Sequence, residues 1–415
     1  MAFTLLFVAA LTLSVLLRLW LAGRQIRHVM RHREAVPPVF ADRIRLTSHQ
    51  RAADYTVART RLAMIEIVFD AAVLIVLTLL GGLQALSYLS QLAPGGAFIQ
   101  QMALVVLVVA VLGLLGLPFT WYRQFRLEAR FGFNRMTPRL FVMDTLKGVV
   151  IGAVLGLPLL AVVLWLMASA GASWWLWAWV VWTLFNLAVL WLYPTVIAPW
   201  FNKFTPLADA ELAARIRALA ERCGFSLEGL FVMDGSKRSA HGNAYFTGFG
   251  RSKRIVFFDT LLAKLDGNEI EAVLAHELGH FHHRHILRRI VLSFVASFVF
   301  LALLGWLAGK TWFYTGLGVT PQLMQSNHAL ALVLFFLIMP VFTFFLTPLA
   351  SWYSRRDEFQ ADRYAARQTG AAPLASALVK LYDDNAATLT PDPRHSAFYD
   401  SHPPAAARIG RLTGS

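Results

Sequence analysis

Residues 71–122 read AAVLIVLTLLGGLQALSYLSQLAPGGAFIQQMALVVLVVAVLGLLGLPFTWY and contain no Asp, Glu, Lys or Arg. A helix that spans a bilayer needs about 20 apolar residues, so this run predicts two spans that turn at Pro94-Gly95-Gly96. Three further charge-free runs occupy residues 148–201, 290–309 and 311–354. The first of them has room for two spans around Gly171-Ala172-Ser173, and each of the others has room for one.

The first 21 residues complete the set of predicted spans. Phe3 to Leu21 lacks a basic n-region and a small-x-small cleavage site, so we expect a membrane span there rather than a cleaved signal peptide. Seven spans result. The composition agrees, because 57% of residues are hydrophobic and 15% charged, against about 45–50% and about 25% in soluble domains. A soluble enzyme and a disordered chain are excluded, and a single cysteine, Cys223, excludes a disulfide scaffold.

The net charge of +14 is distributed asymmetrically about these spans. Apart from Arg18 inside the first span and Lys310, the basic residues lie in loops on one side. The positive-inside rule makes that side cytoplasmic, with the N-terminus outside and the C-terminus inside. An Arg- and Ala-rich composition points to a GC-rich bacterial genome and so to the inner membrane; in a eukaryote we expect the ER membrane. The basic residues form no recognition motif, so we expect no nucleic-acid partner.

The spans divide the chain into two regions. Residues 1–201 form an N-terminal membrane region with five spans, and residues 202–415 contain spans six and seven, a cytoplasmic segment between spans five and six, and a cytoplasmic tail. In the cytoplasmic segment the pattern predicts a helix over Asp209–Cys223 and a second helix that starts near Asn268 and continues into span six. Strand-like runs lie between the helices, at Leu230–Met233, Ala244–Gly248 and Arg254–Phe258. The prediction is an all-α multi-pass membrane protein with a small cytoplasmic α+β part.

The second predicted helix contains the sequence His276-Glu277-Leu278-Gly279-His280. Positions i and i+4 share a helix face, so both imidazoles can reach one metal ion, with Glu277 placed to take a proton from a water that the metal activates. Zinc suits such a site, because it binds imidazole and carboxylate and lowers the pKa of a bound water to about 7. A chance match on an amphipathic helix is the alternative. The neighbouring His282, His283 and His285 are expected to reflect interface polarity rather than metal binding.

Two histidines leave a catalytic zinc site incomplete, because such sites use three protein ligands and one further position. After span seven, Glu358 and Asp362 are four residues apart and share a helix face. One of them can bind the metal while the other accepts an N–H from a ligand histidine. A solvated charge run at the exit of a helix would give the same spacing.

These motifs resemble those of the type I CAAX prenyl protease family, integral-membrane zinc endopeptidases of the gluzincin group. The resemblance covers most of the chain. The matching segments are Phe131-Gly132-Phe133-Asn134, Tyr193-Pro194, Phe204-Thr205-Pro206-Leu207, Asn243 to Gly248, His276 to His280, Glu358 to Asp362, and Ser401-His402-Pro403-Pro404. It implies seven helices that enclose a large water-filled chamber.

The resemblance also implies roles for individual residues. It implies one zinc ion per chain, with Glu358 as the third ligand, Asp362 behind a ligand histidine and Glu277 as general base. It implies that His402 stabilises the tetrahedral oxyanion and that Arg408 takes a supporting ion-pair or substrate-side position. The segment implied to be an edge strand that pairs with the substrate backbone consists of Asn243, Ala244, Tyr245 and Phe246. The substrate would be a peptide or protein, prenylated or otherwise membrane-associated, and general membrane-protein turnover is equally open.

Three other functions are weighed against this one. An intramembrane protease of the site-2 type is disfavoured, because the zinc motif lies in a charged stretch from Lys264 to Arg289. A membrane quality-control protease would use the same zinc chemistry. A transporter or chamber protein with a structural zinc would need four protein ligands, and the sequence offers three good ones. Glu66 and Asp70, four apart on span two, are expected to face protein or water, with their role left open.

Overall fold

The computed structural model describes residues 1–247, 254–322 and 326–414. The helices of the first half are α1 (Ala2–Arg31), α2 (Leu46–Leu77), α3 (Gly82–Ser90), α4 (Gly96–Tyr122), α5 (Pro138–Ser169), α6 (Trp174–Leu192) and α7 (Ala198–Phe201). Those of the second half are α8 (Ala210–Arg222), α9 (Asp259–Leu262), α10 (Gly267–His282), α11 (His285–Ala308), α12 (Thr311–Thr315), α13 (His328–Thr343), α14 (Thr347–Thr369), α15 (Ala371–Asp384), α16 (Pro393–Tyr399) and α17 (Ala405–Thr413). The strands are β1 (Phe204–Pro206), β2 (Gly229–Met233), β3 (Ala244–Thr247) and β4 (Arg254–Phe258).

The long apolar helices confirm a multi-pass membrane protein. Over the described ranges, six helices are long and apolar enough to cross a membrane, and the number is seven if α2 and α3, which meet at 58°, are one broken span. Helix α2 begins at Leu46, well before the charge-free run, so its first half contains the polar segment that precedes this run. Fully buried side chains such as Phe7, Leu83 and Phe335 pack the spans together.

The described strands form one four-stranded sheet in the order β1-β2-β4-β3. Strands β2 and β4 are parallel, while β1 and β3 pair antiparallel with β2 and β4 respectively. The three predicted strand segments are therefore present, although Gly248 of the second lies outside the described residues. Strand β1 has only three residues, too few for an alternating pattern to be recognised in the sequence. Strand β3 is an edge strand of this sheet.

Helices α8, α10, α14 and α15 pack with the sheet around a second apolar core that includes Ile216, Ile255 and Phe257. Helix α8 begins as predicted, because the carboxylate of Asp209 accepts the N–H of Leu212 at 2.9 Å. At the start of α10, Asp266 accepts the N–H of Glu269 at 3.0 Å and donates its own N–H to the Glu269 carboxylate at 2.9 Å. This capping box fixes the first turn of the helix that carries the zinc motif.

The prediction that this helix continues into span six is wrong. Helix α10 ends at His282, Arg284 takes a left-handed φ of +56°, and α11 begins anew at His285. A non-glycine residue in that conformation carries a local cost and persists only where tertiary contacts fix it. The break lets the chain change direction directly after the metal-binding motif.

Candidate active site

Three side chains from two helices converge on one point. His276 and His280 extend from α10, and Glu358 extends from α14. The two Nε2 atoms lie 3.3 Å apart, and each is 3.4 Å from a carboxylate oxygen of Glu358. One ligand atom from each residue lies within 4.8 Å of the other two. Of the two carboxylates that the spacing left open, Glu358 is the one that lies beside the Nε2 atoms of both histidines.

Asp362 lies behind His276. Its Oδ1 atom is 2.9 Å from Nδ1 of His276, while Arg408 donates to both Asp362 oxygens at 2.6 and 2.9 Å. A carboxylate only accepts hydrogen bonds, so Nδ1 of His276 carries the proton and Nε2 presents its lone pair to the centre of the group. Arg408 is 6% exposed and holds Asp362 in place. Of the two positions considered for Arg408, the geometry favours the supporting ion pair.

His280 is held by a residue that sequence reasoning missed. Nδ1 of His280 lies 3.0 Å from Nδ1 of His285, and Nε2 of His285 lies 2.9 Å from the amide oxygen of Gln360. Because that oxygen accepts, His285 is protonated on Nε2 and its Nδ1 accepts the proton of His280. His280 then also presents a lone pair to the centre. His285 is only 1% exposed and lies 3.5 Å from Asp357, so the expectation that it reflects interface polarity is wrong.

The donor set fits a cation. Oε2 of Glu358 is buried and has no hydrogen-bond partner among the described residues. Two imidazole lone pairs and a buried carboxylate that face each other at 3.3–3.4 Å would repel without a positive charge between them. Burial alone would lower the pKa of His276, but the two neighbouring carboxylates of Asp362 and Glu358 outweigh the burial and raise this pKa to about 9. The centre therefore attracts positive charge.

A glycine sets the distance between the two metal-binding helices. A Cβ atom on Gly279 would lie 3.0 Å from Cα of Ala361 and 3.1 Å from Cβ of Tyr364, so α14 packs directly against the backbone of α10. This close approach brings Glu358 within reach of both histidines. The glycine inside the motif is therefore explained by helix packing rather than by backbone conformation.

Most of the predicted site residues line one cleft of about 290 Å³. Its walls include Asn243, Ala244, His276, Glu277, Glu358, His402 and Arg408. Glu277 therefore shares the cleft with His276 and Glu358, two of the three converging residues. Nε2 of His402 lies 3.6 Å from Oε2 of Glu358, and 62% of the His402 side chain is exposed. Desolvation lowers the pKa of His402, whereas the charge of Glu358 acts in the opposite direction.

Strand β3 presents its edge to this cleft. The carbonyl of Asn243 accepts the N–H of Phe258 at 2.9 Å, so the alternation of an antiparallel ladder directs the backbone groups of Ala244 and Phe246 away from β4. The N–H of Ala244 is bonded at 2.8 Å to the side chain of Asn243. The rings of Phe246 and Phe281 pack together with their centroids 5.2 Å apart. The side chain of Phe246 therefore anchors the strand rather than lining the cleft. Tyr245 lies on the opposite face of the strand.

The two acidic residues of the second span have different surroundings. Glu66 accepts two hydrogen bonds from Arg123, at 2.5 and 2.7 Å, and lines a cavity of about 1090 Å³ that also contains His402. Asp70 lines a separate cavity of about 240 Å³ together with Arg18. Both residues line cavities between helices, which agrees with the expectation that ionisable groups in a span face protein or water.

Comparisons with known proteins agree with this geometry. Residues 25–203 match the model of the CAAX prenyl protease N-terminal region with five membrane helices, and residues 206–415 match peptidase family M48. CAAX prenyl protease 1 of Saccharomyces cerevisiae is 33% identical over 91% of this chain and 88% of its own length. The human CAAX prenyl protease 1 homolog is 30% identical over 98% of this chain and 95% of its own length. The crystal structure of S. mikatae Ste24p superposes with a TM-score of 0.93 at 30% identity and covers 99% of both chains.

Proposed function

The chain belongs to peptidase family M48, as an integral-membrane metallopeptidase of the CAAX prenyl protease group, and from this we propose that it hydrolyses peptide bonds with one zinc ion held by His276, His280 and Glu358. The observation that carries the proposal is the convergence of three ligand atoms within 4.8 Å of one another, two of them from residues that line a cleft beside the edge strand β3.

Zinc is the metal that this donor set suits best. Two imidazoles and one carboxylate are typical of catalytic zinc, and three protein ligands leave a position for a reactant. When bound, zinc polarises the scissile carbonyl and lowers the pKa of a water molecule to about 7. Asp362 and His285 fix the tautomers of the two ligand histidines, so both imidazoles are ready to bind.

The remaining residues act on the substrate and on protons. Glu277 takes the proton of the attacking water and passes it to the leaving amine, since it follows a ligand histidine and lines the same cleft. His402 donates a hydrogen bond to the oxyanion that forms on the scissile carbonyl. The backbone of Ala244 and Phe246 pairs with the substrate as an added strand. Arg408 keeps Asp362 ionised and oriented.

We further propose that the substrates are peptides or proteins presented at the membrane, including prenylated C-terminal segments. Two observations support this class of substrate. Candidate membrane spans precede and follow the sheet region in the sequence, and the similar proteins are named as CAAX prenyl proteases. The basic loops support an active site on the cytoplasmic face, in a bacterial inner membrane or, in a eukaryote, the ER membrane. An impermeant peptide should be cleaved by inverted vesicles and not by right-side-out vesicles; the reverse would exclude this orientation.

The substitution Glu277→Gln tests the proposed reaction. Peptides that end in Cys-a-a-X, with and without a prenyl group, are offered to the purified protein while bound zinc is measured. We expect cleavage to fall by about 10²–10⁴-fold, because general-base catalysis is lost, while one zinc per chain stays bound. The matched control is Glu211→Gln, an exposed glutamate in the first turn of α8, which should leave activity unchanged. Full activity in Glu277→Gln would disprove the assigned role.

A further inference from the structure

The cavity of about 1090 Å³ beside the active site has a wall rich in cationic side chains. It shares Tyr382, Asn385, Ala387 and His402 with the catalytic cleft, so the two spaces adjoin. The arginine, histidine, aspartate and glutamate residues of its wall are Arg18, Arg59, Glu66, Arg123, His241, His395, Asp400 and His402. Its volume lies slightly above the usual range of ligand pockets, about 300–1,000 Å³, so a short peptide segment fits.

Two of these arginines have no ion-pair partner in the described part of the chain. Arg123 is bonded to Glu66, whereas Arg18 and Arg59 have no described carboxylate oxygen within 4.0 Å. Their nearest acidic surroundings are looser: Arg18 shares the smaller cavity with Asp70, and the charge of Arg59 acts on Glu128. The Arg18 guanidinium lies 4.3 Å from the ring centroid of Phe344, and its Nε is buried with no hydrogen-bond partner among described residues. Arg59 lies 5.3 Å from the ring centroid of Tyr55. Guanidinium groups held against aromatic rings inside a cavity are prepared for an anionic ligand.

The direction of β3 leads a bound peptide into this cavity. A peptide that pairs antiparallel with β3, the more common arrangement, runs its C-terminal end from Thr247 toward Asn243. Beyond Asn243 the chain continues to Gly242, which lines the catalytic cleft, and to His241, which lines the large cavity. The metal-binding group lies beside the start of β3, so residues that follow the scissile bond extend past His241 toward the arginines.

We propose that Arg18 and Arg59 form a subsite for the C-terminal carboxylate of the substrate. This inference rests on the proposed function, since it concerns a peptide bound for cleavage in the same site. A C-a-a-X segment is by definition the end of a chain, so it brings a free carboxylate a few residues beyond its cysteine. The planar guanidinium matches a carboxylate through two parallel hydrogen bonds. A phospholipid phosphate has similar chemistry, but the strand direction favours the peptide terminus.

Matched peptides that end in a free acid or a primary amide test the subsite. We expect wild-type protein in neutral detergent to show kcat/KM about tenfold or more higher for the acid, because a hydrogen-bonded charge pair is lost with the amide. In Arg59→Gln and Arg18→Gln this acid-to-amide ratio should fall toward one. The control is Arg61→Gln on the same helix, an exposed residue outside the cavity wall, which should keep the wild-type ratio.

Three outcomes would overturn the proposal, and each differs from failure of the proposed function. Equal cleavage of acid and amide by wild-type protein excludes the subsite while peptide hydrolysis still stands. A preference for the acid that persists in both variants moves the subsite elsewhere. A loss of activity in the variants that depends on added anionic lipid, and not on the peptide terminus, would show that the arginines bind a lipid headgroup.

Absence of any Glu277-dependent cleavage would instead reject the proposed function. The acid-amide comparison needs no variant, so it remains decisive if Arg18→Gln does not fold.

Discussion

At the scale of single residues, the site depends on groups that never touch the metal. His276 is oriented by Asp362 and Arg408, and His280 by His285, each through the imidazole nitrogen that faces away from the centre. Partners of this kind fix the tautomer and raise the basicity of a ligand. His285 is itself fixed by the amide oxygen of Gln360 at 2.9 Å. The two histidines are therefore held by different groups: His276 by the anionic Asp362, and His280 by the neutral imidazole of His285.

The support of His280 gives a residue-scale prediction. Replacing His285 by Ala removes the acceptor that keeps Nδ1 of His280 protonated, so we expect zinc affinity to fall by about 10–100-fold. Competition with a chelator of known affinity measures the change. His282→Ala is the matched control, because this exposed histidine packs on Tyr364 rather than on a ligand. Unchanged zinc affinity in His285→Ala would show that His280 needs no such support.

At the scale of elements, the metal site is a product of helix packing. Helices α10 and α14 meet at Gly279, where an added Cβ atom would lie only 3.0 Å from Cα of Ala361, so the neighbouring backbone would have to shift. The left-handed Arg284 then separates α10 from α11 and allows His285 to reach His280. The edge of β3 completes the cleft. The site therefore forms where α10, α14 and the edge of β3 meet, and none of the three elements forms it alone.

Gly279→Ala tests the contact between these helices. The added methyl group forces α10 and α14 apart, and overpacking of this kind costs about 1–3 kcal/mol. We expect a lower melting temperature and weaker zinc binding, because Glu358 moves away from the histidines. Gly116→Ala in α4 has open space around the new Cβ and should affect neither property. If Gly279→Ala binds zinc like the wild type, close packing does not set the ligand geometry.

The sequence predicted elements better than it predicted their junctions. Charge-free runs located the spans, and the i, i+4 spacing located His276 and His280, because both features are local. The choice between Glu358 and Asp362 could not be made from spacing, since it depends on how α14 is rotated against α10. His285 was missed because its role depends on a helix break that leaves no pattern in the sequence. The bend between α2 and α3 was missed for the same reason.

At the scale of the whole molecule, direct hydrogen bonds join the membrane region to the protease region. Asp392, 1% exposed, caps α16 by accepting the N–H groups of Arg394 and His395, and it also accepts from Arg24 of α1 at 2.9 and 3.2 Å. Helix α16 leads directly to His402. The first span is therefore bonded to the segment that places His402 at the metal-binding group. The N-terminal region thus supports the active site in addition to holding the protein in the membrane.

The central claim is that one zinc ion held by His276, His280 and Glu358 drives peptide hydrolysis. The most direct test is to deplete the purified protein of metal and to follow peptide cleavage while zinc is added back. We predict that cleavage is absent without metal and reaches its maximum at one zinc per chain, and that Glu358→Ala regains almost none at the same zinc concentration. Full cleavage by the metal-depleted protein, or full recovery in Glu358→Ala, would contradict the claim.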